Sequence, residues 1–255
     1  MHSEERQEKI LKIIDQKSRV SVDELVMLFS VNTMTVRRDL ILLENRGLLR
    51  RFHGGAISCR GRSYEPPFLV RSEDHRKEKE GIGKKAAELI NDGDSIAIDV
   101  GTTTLEVARN LKGKTDLTII TSSLQVAGEL MDNPNFRILL PGGIIKASEP
   151  SLIGDLTVSA IHNFFVDKLF LGVGGVDFSA GLTEYNLDDA QIKKALIQRA
   201  KDIILVTDST KFNRIAFAYI APISVVNRIV TDDSLDGKDI KKIKDMGIEL
   251  LLVKN

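Results

Sequence analysis

The sequence predicts two domains of different class: a small α+β domain over residues 1–57 and an α/β domain with a mostly parallel, Rossmann-like sheet over residues 75–255, joined by a linker at 58–74. Three observations predict this. Residues 4–57 carry three helical patterns, the last two only a few residues apart, followed by a hairpin pattern with paired glycines. CRGRSYEPPF, residues 59–68, combines glycine, serine and paired prolines, which forbid helix and favour extended chain. Beyond it, short β-branched runs alternate with helical patterns, the arrangement of a parallel sheet covered by helices.

Composition narrows the function classes. With 42% hydrophobic residues, a chain of 255 can bury a core, which argues against disorder. Its 36 basic and 36 acidic residues cancel, yet residues 1–62 hold 12 basic against 8 acidic, and the remainder 24 against 28. The first quarter is mildly basic, which is compatible with a nucleic-acid partner. A single cysteine, Cys59, permits no internal disulfide and suits a reducing cytoplasm. The start MHSEERQEKI is charged and lacks the apolar stretch of a signal peptide. No apolar run approaches the ~20 residues that span a bilayer, so no membrane partner is expected. His2, His53, His75 and His162 are scattered without ligand spacing, so no metal and no other cofactor is expected.

In the first domain, Ile10, Leu11, Ile13 and Ile14 recur at helical spacing in Glu4 to Gln16, which predicts a helix. Ser21 and Glu24 form an S-x-x-E capping box, with Val20 and Leu25 at the flanking hydrophobic-staple positions. A second helix therefore starts near Val22 and runs to about Ser30. After a tight break at Val31-Asn32, Asn32 or Thr33 caps a third helix to about Asn45, with Gly47 as its stop. Two short helices this close read as helix-turn-helix, whose second element offers its N-terminal residues to DNA base edges. On that second element Val36, Leu40 and Leu43 share the buried stripe, whereas Arg37 flanks it and Arg38 points away. An arginine suits guanine edges or phosphate; a solvated charged face is the bland alternative. Thr33 and Thr35 sit near the helix start, and Ser21 near the preceding one, within reach of phosphates or bases. Met34 and Ile41 fall on the side of Arg38 and need thymine methyls or a covering segment. Asp39 is expected to orient an arginine or stay at the rim. LLRRFHGGAI, residues 48–57, reads as a β-hairpin wing that supplies the cover, with Arg50 and Arg51 beside a phosphate backbone. His53 is either a turn residue or a base reader.

In the second domain, DHRKEKEGIGKKAAELI predicts a surface helix. Strands are expected at 95–99, 117–121, 136–140, 168–173, 202–207 and 226–231, with helices near 103–111, 123–131, 155–163, 187–200 and 238–246. Such sheets bind ligands at the C-terminal ends of their strands. DVGTTT, Asp99 to Thr104, leaves a strand and opens a helix. Gly101 permits close approach, and the N–H groups and hydroxyls of Thr102, Thr103 and Thr104 suit an anion. It reads as a phosphate cradle without the lysine of a Walker A loop, or as a helix capped by threonine. Thr121-Ser122-Ser123, Gly142 and Gly143 of LPGG, Gly172, Gly174 and Gly175 of LGVGGVD, and Asp208 to Lys211 fall at further strand ends. Together they have the composition a polyol phosphate needs, with Lys211 as its counter-charge or as a solvated lysine.

The run VSVDELVMLFSVNTMTVRRDLILLENRGLLRRFHGGA resembles the N-terminal winged helix of the DeoR family of bacterial transcription regulators. TVRRDL spaced before GLLRRFHGGA is close to that family's signature, and the likeness covers nearly all of residues 4–57. DVGTTT, LPGG, DKLFLGVGGVD to GLTEYN, and VTDSTKF resemble the family's sensor domain, which is similar in fold to ribose-5-phosphate isomerase. The resemblance implies a pocket lined by Asp99, Gly101 to Thr104, Thr121, Gly142, Gly143, Gly172, Gly174 and Lys211. Ser122 stands where asparagine is more usual. It also implies binding of a phosphorylated sugar or sugar alcohol that controls DNA affinity.

The expectation is thus a cytoplasmic DNA-binding regulator, associated with the nucleoid when bound. It would repress a sugar or sugar-derivative catabolic operon. Its partners would be double-stranded operator DNA, a sugar-phosphate effector and further copies of itself, as a dimer or tetramer. An isomerase-like enzyme with a DNA-binding appendage is the alternative. The GVGGVD loop argues against it, because only Asp177 is acidic there and a proton shuttle needs a positioned base. A purely architectural DNA-binding protein is opposed by the cradle loop.

Overall fold

The computed structural model describes residues 3–17, 19–58, 61–146 and 148–254 and divides them into two compact units, with the boundary between Tyr64 and Glu65. Cys59 and Arg60, at the start of the expected linker, lie outside the described residues.

The first unit runs α1 (Ser3–Lys17), β1 (Arg19–Ser21), α2 (Val22–Phe29), α3 (Thr33–Asn45), β2 (Leu49–Phe52) and β3 (Gly55–Ser58). The capping box is formed. The Glu24 N–H donates to Ser21 Oγ at 3.1 Å, and the Ser21 N–H donates to Glu24 Oε2 at 2.7 Å. Asn32 caps α3 by accepting from the Thr35 N–H. Three antiparallel strands in the order β1-β3-β2 make the wing. Gly55 is required there, since a Cβ would lie 2.3 Å from the Val20 carbonyl oxygen. Ile10, Ile14, Leu25, Val36, Leu40, Leu43, Leu49 and Ala56 close one small core.

The second unit opens with α4 (Phe68–Glu73), α5 (Arg76–Ala87), β4 (Ser95–Ile98), α6 (Thr102–Arg109), β5 (Leu117–Ile120), α7 (Leu124–Leu130) and β6 (Phe136–Leu139). It continues with β7 (Ile144–Lys146), β8 (Ser151–Ile153), α8 (Asp155–Ile161), β9 (Val166–Leu171), β10 (Gly175–Asp177), β11 (Gly181–Glu184), α9 (Leu187–Arg199) and β12 (Ala200–Val206). β13 (Ala218–Ala221), β14 (Arg228–Asp232), α10 (Gly237–Asp245) and β15 (Glu249–Val253) complete it. Seven parallel strands form the main sheet in the order β15-β14-β12-β9-β4-β5-β6. Strand alternation sorts the core onto its two faces. Ile96, Ile98, Phe170, Ile204 and Val206 pack with residues of α5, α6 and α7. Ala97, Leu169, Leu171, Ile203 and Leu205 pack with residues of α8, α9 and α10. From β4 the chain steps outward through β5 to β6, then crosses back to β9 and steps the other way. The switch point therefore lies between β4 and β9, where open α/β sheets place their ligands.

Two expectations are corrected. The linker does not extend to residue 74. Pro67 takes the N-cap of α4, where a residue without N–H costs nothing, and Phe68 is buried in the same core as Ile82 and Ala86. The sequence reading also did not anticipate edge strand β15, the hairpin β7-β8 or the small sheet β10-β11-β13. Among the described residues no helix is long and apolar enough to cross a membrane.

Candidate functional site

In the first unit the outer face of α3 is polar at its start and cationic further on. Thr33, Met34, Arg37 and Arg38 are exposed, as are Arg50, Arg51 and His53 in the wing. Among the described residues no carboxylate pairs with Arg37, Arg38 or Arg50. Arg51 differs: its Nε donates to Glu44 Oε2 at 2.6 Å and its N–H to Glu44 Oε1 at 2.8 Å. These bonds hold the Glu44 carboxyl below the usual range, the backbone bond most of all. Ser21 is half-buried and its hydroxyl serves the helix cap. The Thr35 hydroxyl donates to Asn32 Oδ1 at 2.9 Å. His53 stands in the wing turn, where Gly54 supplies φ +91°.

Two details differ from expectation. Asp39 is not at the rim; it is 2% exposed and takes Arg6 Nε of α1 at 2.6 Å, with Ser3 Oγ and Gln7 Nε2 each at 3.1 Å. The helix is 3.6-periodic, so a residue beside Arg38 comes to lie inward, and the arginine Asp39 orients belongs to α1. Nor does the wing cover Met34 and Ile41, which are 72% and 40% exposed. Its apolar positions Leu49 and Ala56 are turned into the core instead.

In the second unit a cleft opens at the C-terminal ends of β4, β9 and β12. Its lining includes Gly101 to Thr104, Gly172, Lys79, Lys211 and Asp208. No side chain caps α6. The first helical bond runs from the Leu105 N–H to the Gly101 carbonyl at 3.1 Å, and the Thr104 hydroxyl donates to that same carbonyl at 3.0 Å. The threonine-capped alternative is therefore not what forms. The N–H groups of the first turn lack partners within the helix and carry its positive end. Gly101 adopts φ +154°, ψ 165°, backbone that favours glycine. Lys79, 5% exposed, donates to the Arg71 carbonyl and, at 2.5 Å, to the Asp74 carbonyl. Burial pushes its ammonium down from the ordinary lysine value. Lys211 Nζ lies 3.5 Å from the Tyr185 hydroxyl.

Another part of the cleft wall is rich in carboxylates. Arg71 bridges Glu65 at 2.9 Å and Glu149 at 2.8 Å. Behind them Lys146 bridges Glu65 at 3.0 Å and Asp189 at 2.6 Å. Burial raises the Glu149 carboxyl to about 8, against the pull of Arg71, and its bond with Glu65 assists the rise. Glu65 falls below its ordinary value, because that same bond and the two cations outweigh its burial. Deeper still, Lys193 Nζ donates to Asp99 and lies 3.3 Å from Glu184. Burial pushes Asp99 and Glu184 up, and Lys193 offsets part of that in each. Asp99 also accepts the Gly172 N–H at 3.0 Å.

Of the residues expected to bind a ligand, Gly101, Thr102, Thr103, Thr104, Gly172 and Lys211 line this cleft. Asp99 lies beneath it, buried against Lys193. Thr121, Ser122, Gly142, Gly143 and Gly174 do not line it. Thr121 and Ser122 are buried beside the start of α7. Gly142 accepts the Thr157 hydroxyl, and a Cβ on Gly143 would lie 2.1 Å from that hydroxyl's oxygen. Gly174 gives room to Glu184 and Tyr185.

Sequence reasoning missed Glu65, Arg71, Lys79, Glu149, Glu184 and Asp189. Its attention went to the single acid of the GVGGVD loop. Asp177 is outside the cleft and closes a turn by accepting from Ser179 and Ala180. The acids come from elsewhere in the chain. One signal was available: Asp189, Lys193 and Leu196 share the buried stripe of α9, an unusual place for an i,i+4 charge pair.

Glu65, Glu149 and Asp189 bring ligand atoms within 4.8 Å of one another, the spacing of a cation site. Arg71 and Lys146 already lie among them and balance their charge, so the donor set does not fit a metal ion.

Comparison with known proteins gives a consistent result. The DeoR-like helix-turn-helix domain matches residues 6–62, and the DeoR C terminal sensor domain matches residues 74–233. The chain is 35% identical to the glycerol-3-phosphate regulon repressor of Escherichia coli strain K12 over 252 residues, 99% of this chain and 100% of that one. It is 34% identical to the HTH-type transcriptional regulator GolR of Listeria innocua over 244 residues, 96% of each. Among solved structures it aligns with ribose 5-phosphate isomerase A from Methanocaldococcus jannaschii over 54% of this chain and 55% of that one. Identity there is 18% and the TM-score 0.40.

Proposed function

Because the chain belongs to the DeoR family of DNA-binding transcriptional regulators, we propose that it represses a sugar or sugar-derivative catabolic operon under the control of a phosphorylated sugar or sugar alcohol. It is a regulator rather than an enzyme. The relatives named for the glycerol-3-phosphate regulon support a small phosphate ester as effector. The observation that carries the reading is the uncapped N-terminus of α6, opening between β4 and β9 with Lys79 and Lys211 in the same cleft. A phosphate there takes the N–H groups of Thr102 to Thr104 and two ammonium groups, in a loop that lacks the lysine of a Walker A motif.

α3 enters the major groove, with Arg37 and Arg38 on base edges or phosphates and Arg50 and Arg51 of the wing on the backbone. Operator half-sites call for a two-fold homo-oligomer, a dimer or a tetramer. The route of control is short along the chain. Glu65 and Arg71 belong to the cleft wall, and Glu65 follows directly on Tyr64, where the DNA-binding unit ends. An effector that draws on the Glu65–Arg71–Glu149 bridges acts on the residue with which the sensor unit begins. A usable switch needs only about 1–3 kcal/mol of such coupling.

The test is fluorescence anisotropy of a duplex bearing the chain's own promoter, titrated at fixed salt with and without a panel of phosphate esters. At least one ester is expected to change the affinity five- to a hundredfold or so. If promoter affinity ignores every ester and calorimetry detects no uptake of any, the effector reading fails.

A further inference from the structure

We propose that the cleft contains a second subsite, at Asp189, which accepts a hydrogen bond from a hydroxyl or ammonium group of the effector and so selects it by its end remote from phosphate. This rests on the phosphate reading above and deepens it.

One carboxylate in the cleft uses its two oxygens unevenly. Asp189 lines the cleft and is 4% exposed. Its Oδ2 takes Lys146 Nζ and Asn186 Nδ2, each at 2.6 Å. Its N–H is also bound, by Asn186 Oδ1 at 2.9 Å, so the side chain is fixed at the start of α9. Its Oδ1 is buried and has no hydrogen-bond partner among the described residues. A carboxylate oxygen withdrawn from water and left without a donor is a costly arrangement that a ligand donor relieves. Lys146, then Lys193 and Asn186, outweigh its burial and hold its carboxyl below the usual carboxylate range.

Its surroundings have the same sense. Glu65 and Glu149 belong to the same wall, and their own cations, Arg71 and Lys146, are already engaged. The α6 mouth offers donors and positive charge; the Asp189 wall offers acceptors. A phosphate, which only accepts, finds its donors at the first, and a ligand donor finds the unpaired acceptor at the second, so a bifunctional ligand has one favoured orientation. A monoester without a hydroxyl or amine leaves Asp189 Oδ1 unpaired. A site built to hydrogen-bond one substrate group discriminates strongly against the analogue lacking it.

Calorimetry of the full-length chain with four monoesters and inorganic phosphate tests this. Ethyl phosphate carries no remote donor; glycerol 3-phosphate and glucose 6-phosphate carry hydroxyls; glucosamine 6-phosphate carries an ammonium group as well. At least one hydroxylated or aminated ester is expected to bind roughly tenfold or more tightly than ethyl phosphate. A preference for the aminated sugar over glucose 6-phosphate identifies the donor as ammonium, and the reverse identifies it as hydroxyl. In Asp189→Asn the ratio to ethyl phosphate should collapse toward one. If every ester matches ethyl phosphate in the unaltered chain, the subsite is refuted while the phosphate reading stands, whatever the variant does. A ratio that survives in a folded Asp189→Asn removes Asp189 as its source. Should neither inorganic phosphate nor any ester bind, the phosphate reading itself has failed and takes the subsite with it.

Discussion

The face of the winged helix and the acidic wall of the sensor cleft both carry cations, but they treat those cations in opposite ways. Arg37, Arg38 and Arg50 project into solvent with no carboxylate partner among the described residues. In that wall Arg71 and Lys193 are each held by two carboxylates, and Lys146 behind it by three. Unpaired surface charge suits a polyanion, because affinity comes from releasing counterions and any phosphate serves. Paired buried charge suits a small ligand, because the network fixes the position of each group before the ligand arrives. The first arrangement gives affinity that salt erodes; the second gives selectivity that salt scarcely touches.

The largest effects should come from breaking buried pairs. Lys193→Met leaves Asp99 and Glu184 buried without their cation and should cost about 3–5 kcal/mol, read from denaturant unfolding of the sensor unit. Asp39→Ala strands Arg6 behind the recognition helix and should cost a similar amount, confined to the DNA-binding unit. Hydrogen exchange resolves which unit has loosened. A cost below about 1 kcal/mol in Lys193→Met would put the cleft pairs in the class of surface ion pairs and dissolve the contrast.

The next largest effect belongs to the exposed side. Arg38→Ala should weaken specific operator binding by roughly 1–3 kcal/mol if its guanidinium reads a base. Binding to operator variants by anisotropy checks this. An unchanged preference among the variants would reduce Arg38 to a phosphate contact.

These two regions also differ in how far they were legible from sequence. The winged helix was readable almost residue by residue, because its determinants are local. Ser21 and Glu24, Asn32 and Thr35, and the Gly54-Gly55 turn act within three or four positions of one another. In the sensor the strands and the α6 mouth were legible for the same reason. The acidic wall was not. Lys193 and Asp99 are 94 residues apart, and Glu65 and Asn186 are 121 apart. Within their own segments such charges look like ordinary solvated residues, and only the crossover of the sheet brings them together. Gly142 and Gly143 erred in the other direction: they suggested a rim, but Gly143 is needed for close packing against Thr157 and Ile153.

A smaller effect follows from Glu149. Its carboxyl is raised from 4.5 to about 8 in the folded chain, so the native state holds a proton that the unfolded state has released. Its contribution to stability is therefore fully present below about pH 4.5 and lost as pH rises toward 8. Glu149→Gln keeps a neutral side chain throughout. The melting temperature of the variant should gain on that of the parent as pH increases from 5 to about 9, then level off. Parallel curves would mean that Glu149 is ionised across the range and that the cleft wall is more negative than described.

The finest comparison is between neighbours in the wing. Arg50 is exposed and unpaired, whereas Arg51 is held through its backbone and side chain by Glu44. Each phosphate a cation neutralises contributes about 0.9 to the slope of log affinity against log salt. Arg50→Ala should reduce that slope by close to one contact. Arg51→Ala should reduce it by less, because Glu44 competes with the phosphate for the same guanidinium and, in the variant, is left facing the backbone as a bare carboxylate. The double change Glu44→Gln with Arg51→Ala separates the two causes. If it restores affinity at low salt without restoring the slope, Glu44 was repelling DNA. If Arg50→Ala and Arg51→Ala prove identical in slope, the Glu44 pair opens on binding, and the distinction between free and committed cations does not extend to the wing.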